Sequence, residues 1–78
     1  MLLEKGQIVI SGKAERFYRG VITLVIGSPE QDQQSYIMVK WEHLSYPTQH
    51  RYSYFIDNPY NKVAKTEQEA LGIILKLK

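Results

Sequence analysis

The sequence predicts an all-β fold: a small antiparallel sheet of five short strands that curls and closes into a barrel. Three observations carry this. Short runs rich in Val, Ile, Leu and Tyr recur along the chain, several of them ended by Gly or Asp. Only one brief segment carries a helix-start signal, so no long helix is expected. With 78 residues the chain makes one domain, residues 1–78. Its core is thin enough that a closed sheet is the economical way to hide apolar faces and protect strand edges.

Taken in order, Gln7 to Ser11 reads as a first strand that stops at Gly12, and Lys13 to Arg19 as a polar loop carrying Phe17 and Tyr18. Gly20 opens the strongest strand, Val21 to Ile26. Both of its faces are apolar, as expected of a central strand or one covered on both sides. Gly27-Ser28-Pro29 ends it, and Glu30 to Gln34 is a solvated loop. From Tyr36 to Trp41 the alternation puts Ile37, Val39 and Trp41 on one face, assigned to the core. Tyr36, Met38 and Lys40 share the other, a half-exposed wall or a binding surface. His43 to Arg51 is irregular and contains Pro47. Tyr52 to Ile56 follows as a fourth strand, Asp57 to Asn61 as a turn, and Val63 as the start of a short pairing. Thr66 and Glu69 have capping-box spacing and are expected to start a single helical turn. The last strand has Leu71, Ile73, Leu75 and Leu77 on one face and Gly72, Ile74, Lys76 and Lys78 on the other.

The residues exclude several chemistries. Without cysteine there is no disulfide, thiol nucleophile or thiolate metal site. His43, His50 and Asp57 are spaced so that no regular element presents them on one face, and no metal site is expected. Glu42, His43 and Ser45 lie too close in sequence for a nucleophilic relay, and the five glycines are scattered rather than gathered into a phosphate cradle. The expectation is a non-enzyme with no cofactor. MLLEKG lacks the features of a secretory signal and no apolar run approaches a membrane span. A cytoplasmic protein with no membrane association is expected.

The six tyrosines, two phenylalanines and one tryptophan are the informative excess. Tyrosine suits strands and the rim of a small barrel, with its hydroxyl in water. Arg16 and Arg19 flank Phe17-Tyr18, however, and Arg51 precedes Tyr52, and interleaved rings and cations suit a docking surface. The predicted surface comprises Phe17, Tyr18, Arg19, Arg51, Tyr52 and Tyr54, and the expected partner is a peptide or protein. Single-stranded DNA or RNA is the alternative, since bases stack on rings while phosphates meet cations. The net charge of only +2 permits that contact without requiring it. A small structural subunit of a larger complex is the third reading.

The order of these elements resembles SH3-like, Tudor-type barrels, with a helical turn before the last strand; an OB-like barrel is the alternative. Within that group the chain resembles the Mind bomb/HERC-type ubiquitin-ligase domain. The matching pieces are Gly6-Gln7-Ile8-Val9, Gly12, Arg19-Gly20-Val21-Ile22, Val39-Lys40-Trp41-Glu42, Arg51-Tyr52 and Leu75-Lys76-Leu77. Phe17-Tyr18-Arg19-Gly20-Val21 is comparably similar to the SH3-like subunit of photosystem I. The resemblance implies a barrel. Two unrelated relatives matched equally imply the fold rather than one function.

Overall fold

A computed structural model describes residues 3–13, 15–27 and 35–77. It contains β1 (Ile8–Lys13), β2 (Arg16–Ile26), β3 (Tyr36–Trp41), β4 (Pro47–Arg51), α1 (Tyr52–Asp57), β5 (Asn61–Ala64) and α2 (Glu67–Leu77). The strands form one antiparallel sheet in the order β4-β3-β2-β1-β5, and it does not close as a barrel. The fold is mostly β, as expected, with two helical segments.

Pairing fixes the two faces. Val9 lies opposite Gly20 and Val63, and Gly20 opposite Trp41. This inner face holds the main core: Leu3, Val9, Ile22, Ile37, Val39 and Trp41, with Tyr52 and Phe55 from α1. Ile37, Val39 and Trp41 are buried as the alternation of β3 predicts. Gly20 sits beneath the indole. A Cβ there would lie 2.8 Å from Val39 Cγ1 and 3.0 Å from Trp41 Cε3, so only glycine lets β3 approach this closely. On the outer face Ile8, Ile10, Ala64 and Ala70 make a second, smaller cluster, with Phe17, Ile73, Ile74 and Leu77 packed against it.

The expected barrel closure is corrected, because α1 and α2 rather than a closed sheet help to cover the two faces, and four further expectations concern single elements. Phe17, Tyr18 and Arg19 are not in a loop: β2 begins at Arg16, and Arg16 pairs with Lys13 across a tight hairpin. The fourth strand lies earlier than expected, at Pro47–Arg51. Proline is tolerated there because it opens an edge strand and its missing N–H removes no ladder bond. Tyr52 to Ile56 is helical rather than extended, since Tyr52 and Phe55, three apart, both reach the core. Pro59 ends the helix by driving Asn58 into an extended conformation (φ −74°, ψ 115°).

The predicted last strand is the helix α2. Ala70, Ile73, Ile74 and Leu77 recur at helical spacing, and it is this set that covers β1 and β5. Its start is the capping signal read from the sequence: Glu69 N–H donates to Thr66 Oγ1 at 3.2 Å, and Glu69 Oε2 accepts from Lys65 N–H at 3.0 Å. The expected loop at Glu30 to Gln34 lies outside the described residues.

Candidate binding surface

The helix α2 covers only the β5–β1 side of the outer face. Further along, the sheet stays open, and a bulge decides what is displayed there. Ile22 pairs with Val39, but Leu24, not Thr23, pairs with Met38, and Ile26 pairs with Tyr36. Thr23 is therefore the extra residue, and a bulge re-aims the side chains beyond it. Unbroken alternation from Ile22 would send Leu24 and Ile26 inward. Instead Val25 packs against the main core, while Leu24 and Ile26 point out, 48% and 43% exposed. Val21, on the same face, is 38% exposed.

Cross-strand pairing completes the surface. Met38 and Tyr36, both half-buried, stand beside Leu24 and Ile26, and Arg51 lies opposite Tyr36 on β4. The Arg51 guanidinium is raised above its ordinary pKa, chiefly by hydrogen bonding to Tyr36 and then to Tyr54. It also lies 5.2 Å from the centre of the Tyr54 ring. Two tyrosines thus hold one arginine at the margin of an aliphatic strip. At the other end Lys40 donates to the carbonyls of Trp41 and Leu44.

The six residues expected to form one surface fall in four places. Arg51 and Tyr54 border the open face. Tyr52 is buried, and its hydroxyl accepts a 2.7 Å hydrogen bond from Leu3 N–H. Phe17 packs against the outer cluster under α2. Arg19 is engaged by two carboxylates, 3.4 Å from Glu42 and in direct contact with Glu67, which ties β2 to the start of α2. Tyr18 lies on the inner face at the far rim, stacked on His43 with centroids 4.2 Å apart and Arg16 6.0 Å from its ring. Eight residue steps along β2, about 25 Å of strand, separate Tyr18 from Ile26 beside the Arg51 end.

Val21, Leu24 and Ile26 were missed as surface residues. The signal was present in a strand apolar on both faces, but that pattern equally fits a strand covered on both sides. A bulge leaves no clear mark in sequence.

Behind the inner rim runs a polar relay. Trp41 Nε1–H donates to Thr48 Oγ1 at 2.7 Å, and Thr48 Oγ1 lies 2.6 Å from His50 Nε2. Burial lowers the His50 pKa. Among the described residues no group of three His, Asp or Glu side chains could hold a metal ion, and no helix is long and apolar enough to cross a membrane. Comparison with protein-family models, curated proteins and solved structures finds no match to this chain.

Proposed function

We propose that this chain is a non-catalytic interaction module that docks a peptide or protein partner on the open outer face of β2 and β3. The observation that carries the reading is the bulge at Thr23, which turns Leu24 and Ile26 out of the core beside Met38 and Tyr36. An apolar strip bordered by tyrosine and arginine has the composition of a protein interface. Nucleic acid is a poorer fit, since the floor is aliphatic and offers little for bases to stack on. Arg19 and Lys40 are also each engaged within the chain. On fold, the order β5-β1-β2-β3-β4 and the short helix before β5 support an SH3-like arrangement over an OB-like one.

Selection from a displayed random-peptide library tests the reading. Peptides enriched on the native chain should bind Leu24→Asp at least about tenfold more weakly, about 1.4 kcal/mol, with the melting temperature nearly unchanged. Tyr54→Ala should act in the same direction. Selected peptides that bind Leu24→Asp equally well would overturn the site. Failure to enrich any peptide, together with oligonucleotide binding that falls steeply with salt, would overturn the function.

A further inference from the structure

The strand β5 is the last of the sheet, and its ladder to β1 fixes which backbone groups point away. Gly12 N–H donates to the Tyr60 carbonyl at 3.0 Å, and the same register pairs Lys62 with Ile10 and Ala64 with Ile8. Hydrogen-bonded pairs alternate in an antiparallel ladder, so Lys62 and Ala64 bond to β1 while Asn61 and Val63 face outward. Asn61 N–H is taken up by the Asn58 carbonyl at 3.1 Å. Neither backbone group of Val63 has a partner among the described residues.

Beside this edge is a cavity of about 210 Å³ lined by Leu3, Phe55, Ile56, Asn61, Lys62 and Val63. A void of about 150 Å³ admits benzene, and drug-sized ligands need about 300 Å³ or more. The cavity therefore suits one side chain. Val63 lies on the inner face with Val9, and Leu3 and Phe55 pack on that face too. A residue paired with Val63 on an added strand would send its side chain the same way, and the residues next to it would project on the opposite face, the side of Lys62.

We propose that β5 takes up an extended peptide as a sixth strand. Val63 supplies main-chain hydrogen bonds, the cavity takes an aliphatic side chain, and Lys62 and Lys65 face an adjacent carboxylate. This mode combines backbone affinity with side-chain specificity. Charge complementarity selects the occupant: the stretch Asn61 to Lys65 carries two lysines and no acid. Both are exposed, and two copies of this edge would bring like charges together. The site is distinct from the β2–β3 face, so either can fail alone.

The test titrates the isotope-labelled full chain with the peptide Thr-Leu-Glu-Val-Thr, capped at both ends, and follows amide signals by NMR. Saturable shifts should centre on Val63, Asn61, Leu3 and Phe55. Methylating the leucine nitrogen of the peptide should weaken binding at least about tenfold, and exchanging its Glu for Lys at least about threefold. Shifts confined to Leu24, Ile26 and Met38, equal binding of the methylated peptide, or no saturable shift would each overturn the proposal. Self-association in place of peptide binding would also overturn it, by giving the edge to a second copy.

Discussion

Single side chains decide how the two faces are used. Trp41 closes the inner core over Gly20. Trp41→Ala should cost about 3–5 kcal/mol through lost transfer energy and the cavity left behind, enough to unfold much of the population at ambient temperature. An unchanged melting temperature would contradict its place in the core. His50 gives a pH signature. Burial favours its neutral form in the fold, so between the lowered folded value and the ordinary value near 6.5 the unfolded chain binds more protons. Stability from this group is then complete above that range and is lost as pH falls through it. Thermal melts from pH 8 to 5 should decline for the native chain and less steeply for His50→Gln. Gly72 offers the reverse case, because a Cβ there meets nothing within 4 Å and the residue lies inside α2. Gly72→Ala should stabilise by about 0.4–1 kcal/mol in denaturant unfolding.

At the scale of elements, the sequence was legible where one period was available and misleading where two were. Tyr36 to Trp41 alternates in only one useful way, and β3 has those bounds and that inward face. The stretch from Ala70 to Leu77 satisfies two periods, because apolar residues occupy both the alternate positions 71, 73, 75, 77 and the set 70, 73, 74, 77. Cover for Ile8, Ile10 and Ala64 decides for the helix, and such tertiary demand does not show in a local pattern. Tyr52 to Ile56 erred for a related reason: aromatic residues favour strands, but Tyr52 and Phe55 can reach the core together only on a helix. Of the predicted surface, Arg51 and Tyr54 border the face now proposed, whereas the neighbours that define it depend on the bulge. Since α2 covers the outer cluster, deleting residues 66–78 should abolish cooperative unfolding in calorimetry. A sharp transition at a similar temperature would show that β1 and β5 need no cover.

For the whole molecule, an unclosed sheet leaves a face and an edge available together. The outer face at Leu24 and Ile26 and the β5 edge at Val63 lie in different parts of the sheet, so a partner could engage either one. Variants separate them. Leu24→Asp should remove docking on the face and leave shifts at Val63 intact, and the methylated peptide should lose the edge and leave the face unaffected. Loss of both from Leu24→Asp alone, with an unchanged melt, would mean that one ligand spans both surfaces.

The pairing of β1 with β5 joins residues about fifty positions apart, as in the Ser11–Asn61 hydrogen bond, while β1 to β4 pair with neighbours in chain order. Distant pairing carries the larger closure entropy, so β5 and α2 form the unit expected to detach first. Amide exchange should accordingly be faster across Asn61 to Leu77 than across β2 and β3, by an amount reflecting partial rather than global opening. Detachment leaves the β1 edge and the apolar cluster at Ile8 and Ile10 bare, with a complementary segment free at the end of the turn Asp57-Asn58-Pro59-Tyr60. At high concentration that segment can dock on another molecule as readily as on its own. Domain-swapped dimers are the form of self-association to expect, and shortening this turn should favour them.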